Sequence, residues 1–111
     1  MNKPSGSFFQ RADLFGGTGT VTMWNILKQT QDPFSAALWC ELEAGGVVGA
    51  HVQQRDPELV ICLSGQGAAT VNGNIHKLST GELVSLPLGA VLSIRNEGEE
   101  PLKYLIIKAK V

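Results

Sequence analysis

The chain has 111 residues, a formal net charge of −1 at pH 7 and a sequence pI of about 6.1. This length suits one domain and leaves no room for a second, and the 43% of apolar residues excludes a disordered protein. The Lys and Arg residues are scattered and form no basic face that could bind a nucleic acid. No apolar run reaches the roughly 20 residues of a membrane helix. The first residues lack the pattern of a secretory signal peptide. We therefore expect a cytoplasmic protein without nucleic-acid or membrane partners.

Short β-type runs follow one another along the chain, separated by Gly, Pro, Asn and Asp, and no long stretch shows helical periodicity. The first 18 residues are rich in Gly and Ser and poor in core residues, so we interpret residues 1–18 as an N-terminal arm and residues 19–111 as the folded domain. Within this domain the Asn72-Gly73 pair predicts a tight type I′ turn between two strands. Many short, evenly spaced strands are typical of an all-β sandwich or barrel. The predicted strands are residues 19–27, 34–42, 47–53, 58–63, 68–71, 74–78, 83–86, 91–96 and 102–108.

One segment between the third and fourth of these strands carries three polar side chains at a distinctive spacing. His51 and Gln53 are two residues apart, so they project from the same face of a strand. Glu58 opens the next strand after a predicted turn at residues 54–57. The three side chains can converge on one point inside the domain, where a metal ion, a water molecule or a mutual hydrogen-bond network would satisfy them.

The spacing of this segment resembles the first motif of the cupin superfamily, and a second stretch resembles the second motif. The first stretch reads Gly45-x5-His51-x-Gln53-x4-Glu58-x6-Gly65, and the second reads Gly81-x5-Pro87-x-Gly89-x2-Leu92-x3-Asn96. The ordered pair spans residues 45–96, about half the chain. The resemblance implies an all-β double-stranded β-helix, which is a jelly-roll barrel.

The resemblance also implies a set of metal ligands, which this sequence retains only in part. In the family, two His and a Glu of the first motif and a His of the second bind a divalent metal. Position by position, His51 and Glu58 match ligands, Gln53 stands where a His is expected, and Leu92 replaces the fourth ligand. An amide oxygen binds borderline metals more weakly than an imidazole does. A divalent metal (Fe, Mn, Ni or Zn) is therefore a candidate cofactor on an incomplete site.

Apolar side chains around this point predict a mixed pocket in which burial favours the neutral forms of His51 and Glu58. Either residue is a candidate general base. Cys40 and Cys62 are interpreted as buried free thiols, and His76, close to the Asn-Gly turn, as a solvated side chain. The residues expected to line the pocket are Val60, Cys62, Leu86, Leu92 and Ile94.

Alternation along the early strands places Trp24 and Trp39 on the outer face of the sheet if Leu42 faces the core. Outward aromatic residues are often covered by another subunit, and small cupins commonly dimerise, so we expect a homodimer. The alternative is cover within the chain by residues 8–15, which contain Phe8, Phe9 and Phe15.

Three functions remain open on this sequence. The first is a cupin-fold protein that binds a small molecule, or weakly a divalent metal, at its incomplete site. The second is a metal-dependent dioxygenase, isomerase or lyase with an unusual His/Gln/Glu ligand set. The third is a structural dimeric module without chemistry, because a fold does not fix a function.

Overall fold

In the computed structural model, which describes residues 2–111, ten strands form two antiparallel sheets. All nine predicted strands are present, each within two residues of its expected bounds, and a further strand, β1, lies in the N-terminal segment. The strands are β1 (Phe9–Ala12), β2 (Thr20–Asn25), β3 (Phe34–Leu42), β4 (Val47–Val52), β5 (Glu58–Ser64), β6 (Gly67–Val71), β7 (Asn74–Leu78), β8 (Leu83–Leu86), β9 (Val91–Asn96) and β10 (Leu102–Ala109).

The six-stranded sheet has the order β1-β2-β3-β10-β5-β8, and the four-stranded sheet has the order β4-β9-β6-β7. Successive strands pass repeatedly from one sheet to the other, which gives the jelly-roll barrel that the sequence predicts. A 3₁₀ turn at Leu14–Gly16 joins β1 to β2. No helical segment within residues 2–111 has the length and apolarity that a membrane crossing requires.

Alternation of side chains along the strands builds the core between the sheets. In β9 the buried residues are every second one, ending in Asn96, and in β5 they begin with Glu58. The predicted turn between β6 and β7 is confirmed, since Asn72 and Gly73 both adopt positive φ, at 50° and 83°. The most deeply buried core side chains are Val21, Cys40, Leu42, Val60, Cys62, Leu78, Leu86, Leu92, Ile94, Leu102 and Tyr104.

The side chain of Asn96, the last residue of the second motif, forms hydrogen bonds with backbone groups at one end of the barrel. Its Nδ2 donates to the carbonyl oxygens of Leu42, Glu43 and Glu100 at 2.9–3.1 Å, and its Oδ1 accepts from the Gly98 amide at 2.9 Å. These bonds tie the β3–β4 corner to the β9–β10 turn. Asn96 is itself only 3% exposed, and these hydrogen bonds satisfy its buried amide, so the side chain is structural.

Both cysteines are free, as predicted. Tyr104 on β10 pairs with Cys40 on one side and with Cys62 on the other. The two thiols are therefore separated by two interstrand spacings, roughly 9–10 Å, which is too far for a disulfide. Burial raises the pKa of both thiols, so neither is a reactive thiolate.

The outer face of the six-stranded sheet carries Trp24 and Trp39, which are direct cross-strand partners. They lie on the opposite face from Cys40, as alternation predicts, yet Trp39 is only 1% exposed. Phe8 packs against Trp24 with ring centroids 5.6 Å apart, and the Lys3 ammonium lies 5.6 Å from the same ring. The segment before β1 therefore covers part of this face within the chain. Phe9 and Phe15 instead lie on the cavity side of the molecule.

Candidate ligand-binding cavity

A cavity of about 860 Å³ opens between the two sheets at the end where β1, β4 and the β4–β5 loop meet. Its interior is mainly aliphatic, with walls formed by both sheets. The apolar lining residues include Leu14, Val21, Met23, Leu38, Val48, Leu92, Ile94 and Ile106. The polar lining includes His51, Gln53, Glu58, Tyr104 and Lys108, and the more exposed rim includes Phe9, Arg11, Phe15, Gln54 and Arg55.

His51 enters the cavity from the end of β4, after a register shift that separates it from Val48. Its Nδ1 lies 2.9 Å from the Gly49 carbonyl oxygen. Because a carbonyl only accepts, Nδ1 carries a proton in this contact and the neutral ring keeps its lone pair on Nε2. The Phe15 ring stacks on the imidazole, with centroids 3.9 Å apart and an interplanar angle of 15°.

Gln53 is buried just after β4, and its backbone holds the β4–β5 loop against the turn before β9. Its N–H donates to the Ala90 carbonyl at 2.9 Å, and its own carbonyl accepts from the Gly89 amide at 2.8 Å. The loop that carries Gln53 is therefore anchored at the cavity wall.

Glu58 is the first residue of β5 and pairs with Lys108 of β10. Its side chain is 3% exposed, and the Lys108 Nζ lies 3.8 Å from Oε2. Burial raises the pKa of the Glu58 carboxyl, and the Lys108 ammonium opposes that shift without cancelling it. Glu58 is therefore a carboxyl group that binds a proton more readily than a solvated one does.

Tyr104 and Lys108 belong to the cavity although neither stands in a recognised motif. Tyr104 is fully buried, and burial, together with the nearby Cys40 and Glu58, raises its pKa well above the ordinary value. Its hydroxyl therefore stays protonated and can donate a hydrogen bond. Both residues reach the cavity because β10 lies at the middle of the six-stranded sheet, beside β5.

Two guanidinium groups at the rim lack a carboxylate partner among residues 2–111. The ion pairs found there are Lys108–Glu58 and Lys110–Asp32. Arg11 donates to the Gln10 carbonyl at 2.9 Å and lies over the Phe9 ring at 5.0 Å. Neither contact neutralises its charge. The lining also includes the Asp56 carboxylate, which accepts from the Ser35 hydroxyl at 2.6 Å. Two guanidinium groups and one carboxylate therefore leave the rim with a net positive charge.

The three ligand candidates, His51, Gln53 and Glu58, do line one cavity, but their donor set does not fit a tightly held transition metal. Within residues 2–111 no three His, Cys, Asp or Glu side chains are grouped so as to hold a metal. Leu92 faces His51 directly in the β4–β9 register, where a further ligand would be needed. One imidazole, one amide and one carboxyl that favours its proton make a weak site.

The remaining predicted site residues lie in different places. Ile94 lines the cavity together with Leu92, whereas Val60 and Cys62 lie in the packed core and are not among its lining residues. Leu86 is also in the core and touches a second groove on the outer face. His76 is exposed on β7, as expected. The sequence patterns did not indicate Phe15, Arg11, Arg55, Tyr104 or Lys108, because none of them stands at a specified position of either spaced motif.

Comparisons with known proteins agree with this architecture. A family model described as Cupin domain matches residues 38–108. A relative from Thermotoga maritima, named oxalate-binding protein, is 28% identical over 98 residues, covering 86% of this chain and 81% of its own. The crystal structure of a predicted oxalate decarboxylase from Thermotoga maritima has a TM-score of 0.88 at 23% identity, covering 95% of this chain and 93% of its own. A cupin-2 domain of Rhodospirillum rubrum has a TM-score of 0.80 at 17% identity, covering 98% and 74%. At these identities the two structures show the shared fold alone.

Introducing a second imidazole opposite His51 tests whether positions 51 and 92 converge on one point. We expect Leu92→His to raise the affinity for Zn²⁺ or Ni²⁺ by about tenfold or more, because even outer-shell partners change metal affinity by 10–100-fold. Isothermal titration calorimetry of protein treated with chelator measures this affinity. Ser93→His, on the opposite face of β9, is the matched control and should leave it unchanged. Equal affinities in the two variants would mean that positions 51 and 92 do not converge.

The raised pKa of Glu58 predicts a pH-dependent stability. A carboxyl whose pKa is higher in the folded chain stabilises the fold below its ordinary pKa of 4.5, and this contribution is lost as the pH rises through the folded value. Glu58→Gln removes the buried charge. Its free energy of unfolding should therefore exceed that of the wild type near pH 8, with a smaller difference near pH 4. Urea unfolding at both pH values checks this, with the exposed Glu99→Gln as control. A gain that is the same at both pH values would contradict the assigned shift.

Proposed function

This chain belongs to the cupin domain family, and on that premise we propose that its cavity binds a small organic carboxylate without requiring a metal. The observation that carries the proposal is the pair of guanidinium groups, Arg11 and Arg55, at the rim of a cavity with aliphatic walls. Neither forms an ion pair with a carboxylate among residues 2–111. Guanidinium groups bind carboxylates through two parallel hydrogen bonds, so the rim suits the head group of an acid.

The size and lining of the cavity favour an acid with an apolar body. At about 860 Å³ the cavity lies within the range of about 300–1,000 Å³ that is usual for small-molecule sites. Oxalate alone would fill only a small part of this volume. Side chains such as Met23, Val48 and Ile94 can bury a hydrocarbon group, and each buried CH₂ contributes about 0.8 kcal/mol.

Polar groups deeper in the cavity provide for a second functional group on the ligand. The Tyr104 hydroxyl can donate a hydrogen bond, and Glu58 can donate when protonated or accept when ionised. His51 adds Nε2, which accepts in the neutral ring. An acid that bears a further hydroxyl, carbonyl or carboxyl group would satisfy these atoms, whose burial otherwise has a cost.

The relative from Thermotoga maritima supports the same ligand class through its name, oxalate-binding protein. Its 28% identity does not carry the particular acid to this chain. We therefore propose the class, an organic carboxylate, and use oxalate as one probe among several. Weak binding of a divalent metal through His51, Gln53 and Glu58 is the second candidate, supported by their presence in one cavity.

Calorimetric titration with oxalate, succinate, hexanoate and phenylacetate tests the proposal. We expect an acid with an apolar body to bind more tightly than oxalate. Arg11→Gln and Arg55→Gln should each weaken that binding by about tenfold or more, since a hydrogen bond to a charged group contributes about 1.5–3 kcal/mol. Arg95→Gln is the matched control, because Arg95 is exposed on β9 and does not line the cavity.

The same titration separates the competing functions. If no acid binds, or if the rim variants bind as well as Arg95→Gln, the proposal is wrong. Binding that appears only with added Fe²⁺, Mn²⁺, Ni²⁺ or Zn²⁺ and disappears with chelator would favour the metal-dependent enzyme. Failure to bind any acid or metal would favour a purely structural module.

We further propose that the protein forms a homodimer through the outer face of the six-stranded sheet. Phe34, Leu59 and Leu83 are 48%, 37% and 52% exposed there, and a groove of about 400 Å³ runs between Phe34 and Ile107. Apart from Glu58 and Ser85, the residues that line the groove are apolar, and the cores of homodimer interfaces are likewise mainly apolar. A two-fold axis would bring the same apolar face of a second copy against it.

Sedimentation velocity tests the dimer. The wild type should sediment at twice the chain mass of 11.8 kDa, and Leu59→Lys should shift it to the monomer because it places a charge in the apolar contact. Ile75→Lys is the control, since Ile75 is 77% exposed on the other sheet and should leave the dimer intact. A monomeric wild type, or dissociation by both variants alike, would contradict the assignment of this face.

A further inference from the structure

Hydrogen bonds hold the turn that joins β1 to β2, both between its two ends and to β4. The Asp13 N–H donates to the Gly19 carbonyl at 2.9 Å, and the Gly19 N–H donates to the Asp13 carboxylate at 3.1 Å. Thr18 and Val47 exchange two backbone hydrogen bonds of 2.9 and 2.8 Å. The turn is thus fixed to the edge strand of the four-stranded sheet on the cavity side.

Two glycines allow this turn to lie closer to β4 than any side chain would permit. A Cβ at Gly49 would collide with the Phe15 carbonyl oxygen, and a Cβ at Gly17 would collide with the Val47 carbonyl oxygen. Backbone therefore lies against backbone on both sides of the contact. Any movement of residues 15–17 relative to β4 would break this packing together with the hydrogen bonds of Thr18.

Phe15 occupies a backbone conformation that a phenylalanine rarely adopts. Its φ is 54° and its ψ is 36°, in the left-handed region that disfavours bulky residues. Such strain persists where surrounding contacts determine the conformation, and it concentrates at functional sites. The ring is still 54% exposed, so burial of the phenyl group does not explain this conformation. Among residues 2–111, the aromatic contact of the Phe15 ring is the stack on His51.

Both contacts that orient His51 depend on Gly49 of β4. The Phe15 ring covers one face of the imidazole at a centroid distance of 3.9 Å, and the Gly49 carbonyl accepts from Nδ1 at 2.9 Å. Gly49 is also the residue on which the Phe15 backbone rests. The ring plane and the position of the proton are thereby fixed together, which leaves Nε2 as the nitrogen that a ligand can use.

We propose that Phe15 is a positioning residue, which holds the His51 imidazole in its Nδ1–H tautomer so that Nε2 meets the ligand in the cavity. That Nε2 meets a ligand rests on the proposed function. Nε2 accepts a hydrogen bond from a hydroxyl or protonated acid when the ring is neutral, and it donates to a carboxylate when the ring is protonated. The N-terminal segment is then part of the binding site and not merely a cover for the outer sheet.

Nitrogen-15 NMR of the imidazole in the ligand-free protein tests the positioning directly. At about pH 8.5, where an ordinary imidazole is neutral, the wild type should show the pattern of a single Nδ1–H tautomer. Phe15→Leu should show an averaged pattern of both tautomers, whereas Phe15→Tyr, which retains a ring, should match the wild type. Phe8→Leu is the matched control, since Phe8 is equally exposed but packs against Trp24.

Affinity for the acid that binds most tightly in the panel supplies a second measurement. Phe15→Leu should weaken it about three- to tenfold, a typical effect of one aromatic pair, and Phe15→Tyr should restore it. Phe15→Gly serves as a further variant, because glycine adopts this backbone conformation without strain and the chain should still fold.

The two measurements can fail separately. An unchanged tautomer pattern in Phe15→Leu and Phe15→Gly overturns the positioning role, even if affinity falls, because Phe15 would then contact the ligand itself. An averaged pattern with no acid bound by the wild type supports positioning and overturns the proposed carboxylate ligand.

Discussion

A carboxyl group buried in an aliphatic cavity, that of Glu58, is the constraint on which the rest of the site depends. Its side chain is 3% exposed, and the nearest cation, Lys108, is 3.8 Å away and itself partly solvated. Removing a carboxylate from water has a large cost, which a single solvated partner offsets only in part. The pKa of Glu58 rises as a result, and the cavity retains a polar atom that a proton or a ligand can stabilise.

The topology of the barrel explains why polar side chains that are distant in sequence lie in the same cavity as Glu58. β10 lies between β3 and β5 at the middle of the larger sheet, so Tyr104 and Lys108 reach the same cavity as Glu58. His51 comes from β4, an edge strand of the four-stranded sheet, and Arg11 comes from β1, an edge strand of the six-stranded sheet. Polar side chains that are distant in sequence therefore meet at one open end. At the other end of β9, the hydrogen bonds of Asn96 join the β3–β4 corner to the β9–β10 turn.

The sequence predicted the strands, the Asn72-Gly73 turn and the shared cavity of His51, Gln53 and Glu58, because these follow from alternation and local spacing. It did not predict β1, whose four residues are all exposed and show no burial alternation. Nor did it indicate Phe15, since its stack on His51 depends on the close backbone contact at Gly49. Alternation assigned Trp39 to the outer face, but the burial of that face depends on packing that a period of two does not encode.

The identity of residue 92 affects both metal binding and the ionisation of Glu58. A histidine at this position would complete a metal site, and bound metal would then hold Glu58 ionised. With leucine there, the aliphatic wall continues opposite His51, and the Lys108 ammonium is the group that stabilises the charge on Glu58. Proton binding and ligand binding at Glu58 are consequently linked: a ligand that donates a hydrogen bond stabilises the carboxylate, and one that accepts stabilises the neutral acid. Leu92 thus makes the barrel interior poorly suited to metal coordination, and binding of the proposed carboxylate would depend on the proton occupancy of Glu58.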